Sequence, residues 1–314
     1  MRYLPSVWPL KSNGGCRVLP IPSRQASDTV PASAGMSECV LASCSRDRLA
    51  QPREQLHGSI ARMPTKPSRV HPRFLVPDLD PASGEARLPP DESRHLTRVL
   101  RLREGVTVSA FDGRGHEFLA RVTNTRDTLV TIALIEAVEP AAGPVVPFVL
   151  VQSVIKGGGM DDIVRDATMM GATTIQPVVT AHTAVKPAFA KRGENVERWR
   201  RIAIASAKQS RRATLPDVRE PVGLEAALSA DSADLALMFV EPSAGRDTRS
   251  LRTFVGSRRP DRAALIVGPE GGWSEEEITW AEAKGASLVT LGQLTLRAES
   301  VPMAAMAVFS MLWE

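Results

Sequence analysis

Leu265-Ile266-Val267-Gly268-Pro269-Glu270-Gly271-Gly272-Trp273-Ser274 reads as an apolar strand that runs into a glycine-rich turn and then into a helix. A short way on, Leu291-Gly292-Gln293-Leu294-Thr295-Leu296-Arg297-Ala298-Glu299-Ser300 repeats the arrangement. Glycines and a proline at a strand's carboxyl end let a ligand come close to the main chain. Two such turns near each other in sequence point to one ligand held largely by backbone groups. The first turn is neither G-x-G-x-x-G nor G-x-x-x-x-G-K-[ST], so a dinucleotide fingerprint or a P-loop is poorly supported.

Outward from these turns, strand and helix alternate. Strands fit 148–155, 174–179, 235–240, 264–267 and 288–291, and helices fit 161–170, 194–210, 274–283 and 299–313. In the second helix Trp199, Ile202, Ala203 and Ser206 share one face. Ser274 with Glu277 three residues on is a capping box, which starts the helix after the glycine turn. Such alternation predicts an α/β fold with a mostly parallel sheet covered on both faces.

Pro140-Ala141-Ala142-Gly143-Pro144 reads as a linker. Before it, 71–142 carries the signals of a small β-barrel: strands at 74–76, 106–111, 117–122 and 128–135, and a hairpin turn at Asp112-Gly113-Arg114-Gly115. A short helix is expected over 91–100. Residues 1–70 are rich in Pro, Ser and Arg without periodicity, so a disordered or misannotated leader is expected, with Met63 as the start of the working chain and residues 1–62 dispensable.

Of the 314 residues, 43% are hydrophobic and 24% charged, an ordinary globular composition. The formal charge of +4 is uneven: residues 1–70 hold ten Lys or Arg against four Asp or Glu, so the remainder is slightly acidic. Overall charge therefore gives no argument for nucleic-acid binding; only local patches do. No apolar run is long enough for a membrane span. Cys16, Cys39 and Cys44 all precede the folded part, which fits a reducing, cytoplasmic setting, and the scattered histidines predict no metal site.

Local basic patches do occur. Arg94, His95, Arg98 and Arg101 lie on or beside one face of the short helix, and Arg73 precedes the first strand. Arg198, Arg200, Arg201, Lys208, Arg211 and Arg212 follow the long helix and its end. A solvated helix face is the plain reading. A β module with an arginine cluster joined to a ligand-binding α/β domain is also what an RNA-modifying enzyme needs, since phosphate contacts position the substrate while a separate site does the chemistry. Arg297 at a helix N-terminus opposes the dipole and calls for a compensating negative charge, and Glu299 reads as either a cap or a base.

These residues bring the chain to a resemblance. From Arg73 to Trp313 it resembles the bacterial 16S ribosomal RNA uridine-N3 methyltransferases of the SPOUT superfamily. The resemblance is carried by Arg73-Phe74-Leu75-Val76 with His95-Leu96-Thr97-Arg98-Val99-Leu100-Arg101, by Lys156-Gly157 with Met160 and Gly171, by Ile202-Ala203-Ile204-Ala205 with Gln209-Ser210 and Arg212, and by the two C-terminal turns. It implies a PUA-like RNA-binding barrel over 71–142 and a methyltransferase domain with a deep trefoil knot over 143–314. It also implies S-adenosyl-L-methionine as cofactor, a homodimer, and 16S rRNA in the small (30S) subunit as substrate.

By the same resemblance Val267, Gly268, Glu270, Gly271, Gly272, Leu291, Gly292, Leu294 and Leu296 hold the cofactor. Arg297 and Glu299 are catalytic, and Arg73, Arg98, Arg101, Lys156 and Arg212 meet RNA. The chain departs from the family pattern at Gly159 (usually Lys), Met170 (usually Glu), Lys208 (usually Glu), Gln293-Leu294 (usually Pro-Arg) and Ser300 (usually Thr). Two other readings stay open: an RNA-binding relative without methyltransferase activity, and an enzyme using Gly268–Gly272 as an anion loop, which the charge of Glu270 opposes.

Overall fold

The computed structural model describes residues 71–184, 193–230, 233–242, 245–254 and 258–313. The leader expected over 1–70 lies outside them.

The first part is a five-stranded sheet built from β1 (Arg73–Leu75), β2 (Glu85–Arg87), β3 (Thr107–Phe111), β4 (Glu117–Asn124) and β5 (Thr131–Val138), in the order β1-β3-β4-β5-β2. Only β1 and β3 run parallel. Register shifts at Leu119/Ala120 and Val122/Asn124 bend β4 against β5. One apolar core forms on the sheet from Phe74, Val108, Ala120, Val122 and Ile132, joined by Leu96 from the π-turn that follows the short helix. That helix is α1 (Pro90–Arg94), which continues as one π-turn over His95–Val99. The π-turn breaks the i, i+4 spacing expected for Arg94, Arg98 and Arg101, and Arg101 falls beyond the helix with a left-handed backbone (φ 52°).

The second part is an all-parallel main sheet. Its strands are β6 (Phe148–Ser153), β7 (Thr174–Val179), β8 (Asp217–Val218), β10 (Leu235–Phe239), β11 (Arg249–Ser250), β12 (Ala263–Val267) and β13 (Ser287–Thr290), in the order β11-β13-β10-β12-β6-β7-β8; β9 (Val222–Gly223) pairs with β7. The expected strand 174–179 is met residue for residue, whereas the two-residue strands β8, β9 and β11 were not anticipated. Helices α2 (Gly159–Met169), α3 (Gly193–Ser210), α4 (Leu224–Ala230), α5 (Glu275–Ala283) and α6 (Val301–Trp313) complete it.

Both faces of this sheet are covered, and β6 shows how. Phe148 and Leu150 enter a core with Ile163 of α2, Trp199 of α3 and Phe309 of α6. Val149 and Val151 point the other way, to Leu224 of α4 and Ile278 of α5. Burial on both faces explains why these strands read as continuous apolar runs rather than alternating ones. The helix expected from Glu299 starts at Val301 instead: Ala298–Ser300 is a separate 3₁₀ turn, and Pro302 sits in the first turn of α6, where its missing N–H costs nothing.

Candidate functional site

Strands β13, β10 and β12 are neighbours and run parallel, so their carboxyl ends meet at one edge of the sheet. Open α/β sheets bind ligands outside such ends. Here they surround a cleft of about 870 Å³. Both glycine-bearing turns line it: Val267 to Trp273 on one side, and Leu291 with Leu294 to Glu299 on the other. Cofactor candidates Val267, Gly268, Glu270, Gly271, Gly272, Leu291, Leu294 and Leu296 are thus brought together with Arg297 and Glu299. Gly292 belongs to the same turn (φ 131°) but is not on the cleft wall.

Three sets of wall residues escaped the sequence reading. Phe239-Val240-Glu241-Pro242 closes the cleft from the end of β10, and Gly158, Gly159 and Asp162 close it from the start of α2. Ile155 lines it after β6, beside Lys156, which had been expected at the RNA surface. An acidic residue and a proline ending an apolar strand were visible, but only the sheet order shows that β10 lies between the two turns. Gly159 stands where a side chain's Cβ would come 2.4 Å from Cδ1 of Ile155, so the glycine makes room for the Ile155 side chain.

The glycines of the first turn have different jobs. A Cβ on Gly268 would lie 2.9 Å from Cε2 of Trp273. The Trp273 indole packs there and donates from Nε1 to the Phe239 carbonyl at 2.9 Å. Gly268 therefore makes room for the Trp273 indole while its main chain stays on the cleft wall. Gly271 is crowded by His182 in the same way, with Cβ at 3.0 Å and the carbonyl oxygen at 3.3 Å. Gly272 (φ 70°) and Gly292 face open space. The helix after the turn is capped as expected: Ser274 Oγ accepts from the Glu277 N–H, and Glu277 accepts from the Ser274 N–H.

The cleft is acidic. Asp162, Glu241, Glu270, Glu275 and Glu299 line it against Lys156 and Arg297. Asp162 is paired with Arg165 at 2.7 Å and Glu275 with Arg246. Glu270 accepts from the Lys156 backbone N–H at 3.2 Å. Arg297 is 86% exposed, with Glu299 at 3.9 Å. A site of this sign repels phosphates and suits a ligand that carries positive charge, which disfavours the anion-loop reading.

The candidate RNA residues separate. Arg98 and Arg101 are exposed, and no ion pair of theirs occurs among the described residues. Arg73 is buried. It donates to Glu117 Oε1 and Oε2 (3.0 and 2.8 Å), to the carbonyls of Ala207 and Lys208 (2.7 and 3.1 Å) at the end of α3, and to that of Arg212 (2.9 Å). Arg212 is also buried. It donates to the carbonyls of Thr168 (2.6 Å) and Ala172 (3.1 Å), and burial pushes its guanidinium below the ordinary value. The expectation that Arg73 contacts phosphates and that Arg212 lies near the RNA path is corrected: the Arg73 guanidinium is consumed in holding the two parts of the chain together, and that of Arg212 in bonds within the second part.

Residues 142–310 match the family model of the RNA methyltransferase domain, and residues 88–135 that of the RNA methyltransferase PUA domain. The ribosomal RNA small subunit methyltransferase E of a Synechocystis strain is 35% identical over 70% of this chain and 71% of its own. The chain belongs to this methyltransferase E family. Among solved members, that of Neisseria gonorrhoeae bound to S-adenosyl methionine is 31% identical, with a TM-score of 0.68 over 77% of this chain and 98% of its own. A putative methyltransferase of Legionella pneumophila in complex with bound SAM is 26% identical, with a TM-score of 0.70 over 77% of this chain and 97% of its own. Among the described residues no helix is long and apolar enough to cross a membrane.

Proposed function

We propose that this protein is an S-adenosyl-L-methionine-dependent methyltransferase that methylates N3 of a specific uridine of 16S rRNA in the small subunit. The observation that carries the reading is the single acidic cleft in which both C-terminal turns meet Arg297 and Glu299. The residues fit this cofactor: its sulfonium is cationic, the wall carries more carboxylates than cations, and Ile155, Leu291, Leu296 and Val301 offer an apolar surface for an adenine. The turns after β12 and β13 and the end of β10 would hold it. When bound, it supplies an electrophilic methyl group.

The chain's own task is positioning, because methyl transfer to nitrogen is an in-line displacement. The uracil N3 proton must leave, and Glu299 is the proposed acceptor. Arg297 is free to stabilise the negative charge that develops on a uracil oxygen. Exposed Lys156 at the cleft rim, with Arg98 and Arg101, is proposed to meet the RNA backbone. Met303, Val308 and Met311 expose one apolar side of α6, close in sequence to Leu294, which is 81% exposed. Such a patch supports a homodimer. The return of the chain from β13 to pack α6 on α2 fits the deep trefoil knot that the resemblance implies, and a cytoplasmic setting follows from the substrate.

Two outcomes check this reading. In a strain lacking the gene, mass spectrometry of 16S rRNA nucleosides should show the loss of one N3-methyluridine, restored by the intact gene; an unchanged content sinks the reading. For the cofactor, Gly292→Val imposes a β-branched side chain at φ 131° in open space. The strained loop should weaken S-adenosylmethionine binding by about 10- to 100-fold by calorimetry and lower the melting temperature by a few degrees, about 2–4 °C per kcal/mol of strain. Gly271→Val should lower both, because its side chain meets the His182 backbone. Parent-like affinity in both variants would remove the cofactor from this cleft.

A further inference from the structure

Two arginines at the junction of the two parts have no assigned role, and one of them, Arg211, is held in a strained backbone conformation. Arg211 follows the last residue of α3 with a left-handed backbone (φ 62°), where glycine or asparagine sits with less strain. Its side chain is exposed, without a hydrogen bond or ion pair among the described residues. The plain explanation is a cation at a helix C-terminus. A lysine or arginine in the last turn of α3 gives that benefit without strain, and Lys208 is already there.

Arg114 lies at the tip of the hairpin between β3 and β4, also exposed and without an ion pair among the described residues. The tip is rigid. Asp112 Oδ1 accepts from the N–H groups of Arg114, Gly115 and His116 at 2.7, 3.1 and 3.0 Å, and Oδ2 contacts His116 Nδ1 at 2.7 Å. Burial alone would raise the Asp112 pKa, but the bonds from His116 and the backbone outweigh it and hold the carboxyl below its ordinary value.

The same tip is bonded to the chain just after Arg211. Gly113 and Arg114 bridge Thr214, Leu215 N–H donates to the Gly113 carbonyl at 2.9 Å, and Gly115 N–H donates to the Ala213 carbonyl at 3.1 Å. Arg211 is three positions before Thr214. Its Cα is therefore within roughly 11 Å of that bridge, within reach of an arginine side chain. Lys208 meets Glu92 nearby, which brings α1 and the left-handed Arg101 beyond it to the same junction.

We propose that Arg114 and Arg211 form a phosphate-binding site that seats the RNA backbone across the junction. Neither guanidinium has an ion pair among the described residues, and both backbones are fixed: one by Asp112, the other by the carbonyl bonds that Arg73 and Arg212 make around it. A site of this kind positions the substrate without reading its sequence. The inference rests on the reading of this protein as an rRNA methyltransferase.

The test is equilibrium binding of the full chain to small subunits across a salt series, with melting temperature measured in parallel. Arg211→Asn should weaken binding about five- to eight-fold at about 0.1 M salt and lower the slope of log affinity against log salt by about one. Its melting temperature should stay level or rise by about 2–4 °C as strain is relieved. Arg211→Lys should keep the slope. Arg114→Ala combined with Arg211→Asn should lower the slope by about two. If the double variant binds with the parent's slope and affinity while the parent binds and methylates, the site is wrong and the functional reading stands. If Arg211→Asn melts lower with an unchanged slope, Arg211 is a helix cap and the site is again wrong. If the parent does not bind small subunits, the site and the functional reading both fall.

Discussion

Replacing Arg297 by alanine is expected to slow methyl transfer by about 100-fold or more, the scale of removing one preorganised donor at a developing negative charge. Affinity for S-adenosylmethionine and the melting temperature should hold. The expectation follows from how little the folded chain uses this side chain. Arg297 is 86% exposed, and its nearest carboxylate is Glu299 at 3.9 Å. A surface pair of that kind is worth about 1 kcal/mol at most. Glu270, the other conceivable partner, is engaged with the Lys156 backbone N–H instead. Arg297 also precedes a 3₁₀ turn rather than opening α6, so the helix dipole has little hold on it. The loss should fall on kcat, with KM for the cofactor unchanged. A variant that methylates at the parent rate but melts lower would make Arg297 structural.

Arg73→Ala is expected to have the largest effect on stability. It removes a bidentate pair with Glu117 and three bonds to carbonyls at the end of α3 and beyond it. Glu117 would stay buried, with Ser109 as its remaining side-chain donor. Breaking a buried pair from one side costs about 3–5 kcal/mol. The melting temperature should fall on the order of 10 °C. The double variant Arg73→Ala/Glu117→Ala should be less unstable than the two single losses added together, because the uncompensated carboxylate is gone. A single variant that melts within a degree or two of the parent would contradict the clamp. Weaker RNA binding with unchanged stability would return Arg73 to the RNA surface.

The α/β part was legible because its signals are local. The run Ala263–Val267 is apolar throughout, and the Ser274/Glu277 capping box is written in four consecutive residues and forms as read. The beginning of α6 was misplaced because Glu299 looked like a first-turn acid, while Pro302, the better marker, was passed over. The site was half legible. The two turns announce themselves through glycine and proline, but the β10 end reaches the cleft only through strand order, which no local pattern carries. Charge was the poorest guide. Arg73 and Arg212 look like members of a basic patch, yet the carbonyls that Arg73 binds are more than 130 positions away. Arg211, beside one of them and indistinguishable in sequence, is the exposed one.

The most direct measurement is a single-turnover reaction of the purified full chain with methyl-labelled S-adenosylmethionine and small subunits that lack the modification. The RNA is then digested to nucleosides and the label located by mass spectrometry. The account predicts label in N3-methyluridine alone, at about one per subunit, from a defined site in 16S rRNA. Label in another nucleoside, or tight cofactor binding with no transfer to RNA at all, would contradict it.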